Sequence, residues 1–208
     1  MKDSAGDPRF PIWLIGDSPP RRQADKLDSP LDARHPARHN IWTSVADSIQ
    51  DRLYRQRKLR LDTSQLYIRN TATQPLTKST IQAQTQHSQK ILKELIDKYK
   101  PKIILTFGVF AFKTTLLASG ESPQKFKTAK FLGEQFRSRI KNYDDHKVNV
   151  IPLLHVSIAR RFFLEAHRDF IGSERETHSN YFDYVGEKLA DLLLANFSSD
   201  KPIWVRSS

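Results

Sequence analysis

Two short apolar runs constrain the fold of this chain more than any other feature of its sequence. Residues 103–107 (IILTF) and 148–154 (VNVIPLL) are almost continuous in apolar side chains. A strand covered on one face alternates apolar and polar residues, whereas a strand covered on both faces is apolar throughout. Strands of the second kind lie inside a parallel sheet with helices on both sides. The two runs therefore predict a central, mainly parallel sheet.

Periodic patterns elsewhere in the chain predict the other elements of this fold. Two more apolar runs predict strands at residues 10–15 and 66–69. Apolar residues at helical spacing predict helices that begin near these positions: Asn40, Ser79 or Thr80, Gly108, and Glu174. Because strands and helices alternate, we predict a three-layer α/β/α sandwich with a central, mainly parallel four-stranded sheet. We expect one domain over residues 1–208, with its core at about residues 10–197.

Two segments show neither a strand period nor a helix period. Residues 19–38 contain four prolines, which predicts a long loop over the edge of the sheet where the strands end. Residues 121–147 contain five lysines and no clear apolar stripe, so we expect a loop or a strand excursion there.

Charge and cysteine content narrow the classes of function. The net charge of +11 favours a polyanionic partner, because each phosphate that a basic protein neutralises releases a bound counterion. With no cysteine, the chain has no disulfide, no thiolate zinc site and no cysteine-ligated iron–sulfur cluster. The seven histidines show no dense ligand spacing, so we expect neither a metal nor a cofactor.

The sequence also predicts where the protein works. No apolar run is long enough to cross a membrane, and the N-terminus lacks the apolar core of a secretion signal. We therefore expect a cytoplasmic protein, nucleoid-associated in a bacterium or nuclear in a eukaryote. We also expect a monomer that does not bind membranes.

Polar residues and glycines stand where the predicted strands end. In a parallel sheet, ligands bind outside the carboxyl ends of the strands. The residues at those ends are Gly16, Asp17, Ser18, Asn70, Gly108 and His155. Each has an ordinary alternative interpretation, as a turn residue, a carboxylate that binds its own loop amides, or a structural histidine. Because the fold brings them all to one edge, we predict a pocket completed by Asp17, Asn70 and His155.

The order of the motifs at these positions resembles the uracil-DNA glycosylase superfamily. GDSPP stands where that family has its first motif, directly after the first strand, and LYIRN is similar to the strand whose terminal Asn reads the base. IILTFGVFAFKTTLL is similar to the strand, glycine and helix that follow, and HVSIARR resembles the second motif, which is usually His-Pro-Ser. HPARHNIW is similar, with altered spacing, to a stretch of the mismatch-specific branch. The matches cover about residues 10–165.

The resemblance implies that the protein removes a base from DNA. Breaking an N-glycosidic bond leaves negative charge on the departing base, and a donor aimed at a pyrimidine O2 stabilises it. By resemblance His155 supplies that donor, helped by amides of the loop that begins at Gly16. Asn70 pairs with the base edge as donor and acceptor and so selects the base. The candidates for an aromatic group that stacks on the flipped base are His35, His39 and Trp42.

The resemblance also implies a surface that grips the flipped-out strand. In the family an apolar residue after the second motif fills the gap in the helix, and Ile158 or Ala159 has that place here. The basic and polar residues expected to contact DNA beside it are Arg21, Arg22, Ser157, Arg160 and Arg161. A solvated helix start is an equally plausible role for Arg160 and Arg161.

Two departures from the family pattern affect the chemistry. The place of the catalytic Asp or Asn holds Ser18, which is not a general base at neutral pH, and Asp17 stands one place earlier. Asp17 can assist only if the loop turns its carboxylate toward the sugar. Branches with Ala in the place of Ser18 remain active in the family. In the second motif Val156 replaces the usual Pro, which loosens a rigid turn.

These observations support three hypotheses for the function. The first is a monofunctional DNA glycosylase of base-excision repair, which flips a deaminated base such as uracil or hypoxanthine and hydrolyses its N-glycosidic bond in single- or double-stranded DNA. The second is a glycosylase-fold protein that binds DNA with weak or no excision. The third is a small-molecule α/β enzyme, although the sequence contains neither GxxxxGK[ST] nor GxGxxG.

Overall fold

The computed structural model describes residues 2–19, 26–30, 32, 34, 43–77, 81–123, 128–159, 163–178, 180–196 and 205–207. Its main sheet has five strands in the order β1-β4-β2-β5-β6. The four parallel members are β2 (Ile12–Gly16), β4 (Leu66–Asn70), β5 (Ile103–Phe107) and β6 (Asn149–Leu153). These are the four predicted strands, and every residue of β5 and β6 is buried. The predicted α/β fold with a mainly parallel sheet is therefore confirmed.

Three short strands were not predicted from the sequence. Strand β1 (Ser4–Gly6) pairs antiparallel with β4 and makes the sheet five-stranded rather than four-stranded. Strand β3 (Leu59–Leu61) pairs with β7 (Val205–Ser207) in a separate ladder. Each of these strands has three residues, which is too short for an alternating pattern to be recognised.

Six α-helices surround the sheet in the described part of the chain. They are α1 (Thr43–Arg57), α2 (Ile81–Tyr99), α3 (Val109–Ala118), α4 (Ala129–Lys141), α5 (Leu164–Ile171) and α6 (Tyr181–Asn196). Helices α1 and α6 pack against each other, and α2 packs against α3. The β2–α1–β4 and β4–α2–β5 crossovers run in opposite directions across the sheet, so right-handed connections place α1 and α2 on opposite faces. None of these helices is both long and apolar enough to cross a membrane.

Two expectations about helices are wrong. Segment 121–147 contains helix α4, which starts where the Thr128 hydroxyl accepts a hydrogen bond from the backbone N–H of Phe131 (3.3 Å). The last helix begins at Tyr181 rather than near Glu174, and Gly172–Glu176 forms a separate 3-10 helix. The Glu174 carboxylate reaches across to α6, 2.6 Å from Lys188 Nζ. The prediction also missed helix α5.

Three other expectations cannot be compared with the structure. The predicted cap Asn40 and the predicted start at Ser79 or Thr80 lie outside the described residues. Most of the predicted loop 19–38 lies outside them as well.

The strand order fixes where a ligand can bind. The chain moves from β2 to β4 on one side and then crosses to β5 on the other side of β2. The connections at the carboxyl ends of β2 and β5 therefore diverge and leave a crevice between them. Residues that follow β2 and β5, together with those after β4 and β6 on either side, line this edge of the sheet.

Candidate functional site

Asp17 follows β2 and turns its carboxylate into the crevice between β2 and β5. Its Oδ1 accepts a hydrogen bond from the backbone N–H of Ala111 at 2.8 Å, in the first turn of α3. Its Oδ2 lies 3.6 Å from His155 Nε2. The side chain is 19% exposed, and burial raises the pKa of the Asp17 carboxyl, while His155 and the Ala111 amide oppose the rise. Asp17 therefore caps α3 and faces the imidazole.

His155 follows β6 and presents one ring nitrogen to the site. Its Nδ1 accepts a hydrogen bond from the backbone N–H of Ser157 (3.2 Å), and the Ser157 hydroxyl oxygen lies 2.7 Å from the same nitrogen. A ring nitrogen that accepts an amide proton carries none of its own, so the neutral ring holds its proton on Nε2. At 3.6 Å from Asp17 the Nε2–H is too distant for a strong hydrogen bond. It therefore remains free to bind a ligand oxygen.

Gly108 separates Asp17 from His155 and sets their distance. It follows β5, has φ 100° and ψ 170°, and precedes the first residue of α3. This backbone region is almost restricted to glycine. A Cβ at this position would lie 3.0 Å from His155 Cβ and 3.1 Å from Asp17 Oδ2. The sequence marked Gly108 as a strand end, but it gave no signal of this close approach.

Asn70 is the last residue of β4 and lies against Gly16, its partner in the parallel register of β2 and β4. A Cβ on Gly16 would stand 2.8 Å from Asn70 Oδ1, so the side chain crosses directly over Gly16. Thr71 holds this corner, because its backbone N–H (2.7 Å) and hydroxyl (2.8 Å) both donate to the Gly16 carbonyl. The half-buried Asn70 amide makes no side-chain hydrogen bond to another described residue.

The other predicted site residues differ in how exposed they are in the structure. Ser18 is half-buried beside Asp17, and Ser157 is exposed in the loop after β6. Of the two candidates for filling a gap in DNA, Ile158 is half-buried whereas Ala159 is 0% exposed. The Ala159 side chain therefore has no exposed surface, and its contact with DNA stays a prediction. Seven further predicted residues lie outside the described residues: Arg21, Arg22, His35, His39, Trp42, Arg160 and Arg161.

A buried aromatic cluster behind the site positions the His155 loop. The backbone N–H of Leu154 donates to the hydroxyl of Tyr181 on α6 (3.0 Å). The ring of His167 on α5 packs 5.4 Å from that of Tyr181. Burial lowers the pKa of His167, while the backbone of Ile158 and Ala159 opposes the fall. Helices α5 and α6 therefore pack against the His155 loop and position it, an arrangement that the sequence did not indicate.

One family model matches the chain over nearly its whole length. The model that describes the uracil DNA glycosylase superfamily matches residues 4–196. The match runs from the first residue of β1 to the last residue of α6. No curated protein sequence matches the chain. Among the described residues, no group of three His, Asp or Glu side chains is placed to hold a metal ion.

The close approach at Gly108 predicts a specific loss of stability. We expect Gly108→Ala to destabilise the protein by about 1–3 kcal/mol for its backbone conformation, and further because the new methyl group meets His155 and Asp17. Gly120→Ala is the matched control, since Gly120 also has a positive φ (84°) but nothing within 4 Å of its Cβ position. Urea denaturation of both variants measures the difference, and equal losses would contradict the proposed contact.

The half-buried carboxylate of Asp17 predicts that its replacement raises the stability of the protein in a pH-dependent way. Asp17→Asn keeps an oxygen for the Ala111 amide and removes a desolvated charge, so we expect it to be more stable than the wild type at pH 7. The pKa of Asp17 is raised in the folded state, so the wild type loses stability as the pH rises from about 3.9 through that pKa. The advantage of the variant therefore shrinks on acidification through the same window.

The control for this experiment is a carboxylate whose replacement is expected to lower the stability of the protein at pH 7. The pKa of Asp144 is lowered by the backbone N–H of His146 and by Lys147. Asp144→Asn is therefore expected to be less stable than the wild type at pH 7, with a deficit that disappears as the pH falls through the lowered pKa. Denaturation at pH 7, pH 4 and about pH 2 measures both variants, because the deficit of Asp144→Asn disappears only below about pH 3.9. A destabilised Asp17→Asn at pH 7 would show that attraction to His155 outweighs the cost of burial.

Proposed function

Because the chain belongs to the uracil DNA glycosylase superfamily, we propose that it hydrolyses the N-glycosidic bond of a deaminated base, such as uracil or hypoxanthine, in DNA. The observation that carries this proposal is the arrangement of His155, whose Nε2–H faces the crevice at the carboxyl edge of the sheet. That edge is where a parallel α/β fold binds its ligands.

His155 stabilises the leaving base. When the N-glycosidic bond breaks, its electron pair moves onto the base, and a pyrimidine O2 takes up much of the negative charge. A fixed N–H donor aimed at that oxygen binds the transition state more tightly than the ground state. The Ser157 backbone amide fixes the imidazole as this donor, because it occupies Nδ1.

Asp17 acts as a positioning residue in this scheme. One carboxylate oxygen is held by the amide of Ala111, and the other faces the imidazole. The carboxylate thus points into the crevice. It does not point outward, toward the position where a sugar would bind. Its negative charge favours the orientation in which Nε2–H lies in the crevice, and it polarises that N–H for the departing base.

Water attacks the sugar without a carboxylate base in this proposal. Ser18 has the place of the family's catalytic acid, and its hydroxyl can orient water as donor and acceptor but cannot remove a proton at neutral pH. The N-glycosidic bond therefore breaks before water attacks, and water adds to a sugar that already has cationic character. The water oxygen bonds to the sugar carbon, and its proton passes to solvent or to the released base.

Asn70 selects the base. Its amide crosses Gly16 and has no hydrogen bond to another described side chain, so donor and acceptor are both available to a base edge. A site that needs both rejects bases that lack one of them, because the buried amide would be left unpaired. The net charge of +11 favours binding of DNA by the protein as a whole.

A second candidate function is DNA binding without excision. It is favoured by one specific observation: the only carboxylate described in the crevice is already used to cap α3. If Ser18 cannot orient water effectively, the same surface binds an extruded base and does not release it.

A base-release assay tests the proposal. Duplexes that carry uracil, hypoxanthine or xanthine are incubated with the protein and then cleaved with alkali at the resulting abasic sites. We expect strand breaks on at least one duplex. Absence of breaks on all three at high protein concentration, with DNA binding retained, would favour the second candidate.

The role of His155 predicts a large loss of rate. His155→Ala removes the donor to the leaving base, and we expect the single-turnover rate to fall about 10²–10³-fold. His155→Gln keeps an N–H donor and should recover part of that loss. The control is His146→Ala, since His146 is an exposed histidine in the loop before β6, at the opposite edge of the sheet. Equal rates for His155→Ala and His146→Ala would contradict the assignment.

A further inference from the structure

Two exposed apolar side chains begin the helix that follows the His155 loop. Phe163 is 46% exposed and Leu164 is 57% exposed, and they are consecutive in the chain. Two other large apolar residues are comparably exposed in the described part of the protein, Tyr54 and Ile81, and these are far from each other in sequence. An exposed apolar pair beside a ligand site is a candidate for contact with that ligand.

The apolar pair is held close to the candidate site. It precedes His167 by one turn of α5, and the backbone of Ile158 and Ala159 lies next to the His167 ring. His167 packs on Tyr181, which binds the backbone of Leu154, the residue before His155. The start of α5 therefore stands beside the loop that carries His155, at the same edge of the sheet.

A basic groove continues from the apolar pair. A cavity of about 470 Å³ is lined by Leu164, His167, Arg168, Ile171, Arg175 and His178. None of these described lining residues is a carboxylate. Arg168 and Arg175 are exposed, and neither forms an ion pair with a residue that the structure describes. Two exposed guanidinium groups on one groove, neither paired with a described carboxylate, are suited to the phosphates of a nucleic-acid backbone.

Helix α5 keeps its acidic residues away from this groove. A helix turns by about 100° per residue, so Arg168 lies only about 40° around the helix from Leu164. Glu165 and Asp169 lie about 100° and 140° from Leu164 on the same basis. The helix thus presents one basic and apolar face toward the groove and an acidic face away from it.

We propose that Phe163, Leu164, Arg168 and Arg175, named here the α5 surface, bind the DNA strand beside the extruded nucleotide. The apolar pair contacts the bases that extrusion leaves unstacked, and the two arginines contact phosphates of the same strand. Ile158 and Ala159 share the family place for filling the gap, but Ile158 is half-buried and Ala159 is fully buried, so Phe163 and Leu164 are the more exposed apolar side chains beside the site. The inference rests on the proposed function only in taking DNA as the ligand.

The phosphate contacts are tested by the salt dependence of binding. The probe is a fluorescent duplex with a central tetrahydrofuran abasic analogue, which contains no bond that a glycosylase can cleave. Anisotropy titrations between 50 and 200 mM salt give the slope of log K against log salt. Each phosphate contact contributes about 0.9 to this slope, so Arg168→Gln with Arg175→Gln should reduce it by about 1.8.

The matched control removes the same charge at the opposite edge of the sheet. Arg57 ends α1 and Lys141 ends α4, and both are exposed. Arg57→Gln with Lys141→Gln should leave the slope unchanged. If the Arg168 and Arg175 variant has the same slope as this control, the α5 surface does not contact DNA phosphates and the proposal is wrong.

The apolar contact is tested by base unstacking. A 2-aminopurine placed next to the abasic analogue fluoresces when its stacking is disrupted. Phe163→Ala with Leu164→Ala should abolish the fluorescence increase and raise Kd roughly tenfold, with the salt slope preserved. Tyr54→Ala, which alters a ring that is 43% exposed on α1, should behave as the wild type. Unchanged fluorescence in the Phe163 and Leu164 variant would overturn this part of the proposal.

The two proposals fail separately. If DNA binding depends on the α5 surface but no base is released, this inference stands and the proposed catalysis is wrong. If a base is released but the salt slope does not change in the Arg168 and Arg175 variant, the proposed catalysis stands and this inference is wrong.

Discussion

The half-buried carboxylate of Asp17 fixes the geometry on which the candidate site depends. It follows β2, binds the first turn of the helix after β5, and faces the histidine after β6, so one group ties together three neighbouring strands. A desolvated charge is costly unless donors surround it, and here a backbone amide and an imidazole are both directed at it. Gly108 leaves the space in which they meet. The parallel sheet brings these residues to one edge, and the carboxylate sets their distances.

The parts of the fold that follow from periodicity could be predicted. The run IILTF is buried along its whole length, as the absence of polar alternation indicated, and its boundaries match the predicted ones. The edge location of Asp17, Asn70 and His155 followed from the same pattern, because side chains after parallel strands share one edge. What could not be read was the direction of each side chain. Nothing in GDSPP shows that the acid turns inward to cap a helix 94 residues away.

Tertiary packing explains most of what the sequence did not reveal. Helix α4 buries Leu132, Gly133 and Phe136, and a glycine gives no apolar signal. It is needed there because a Cβ on Gly133 would lie 1.9 Å from the carbonyl oxygen of Phe170 on α5. The burial of Ala159 has a similar origin, since its loop is pressed against the aromatic cluster of α5 and α6. Both features depend on contacts between distant segments, and no local pattern encodes such contacts.

The inward turn of Asp17 changes how the proposed reaction must obtain its rate. With Ser18 in the place of the usual acid, no carboxylate is described where water would attack, so stabilisation of the leaving base by His155 has to supply most of the chemical acceleration. A mechanism of this kind depends strongly on holding the base and sugar in the reactive geometry, because misplacement weakens the single donor. Binding energy from DNA on either side of the target then matters more than it would with a carboxylate base. An apolar and basic surface next to the His155 loop is where that energy would be used to greatest effect, since Tyr181 contacts both the His155 loop and helix α5.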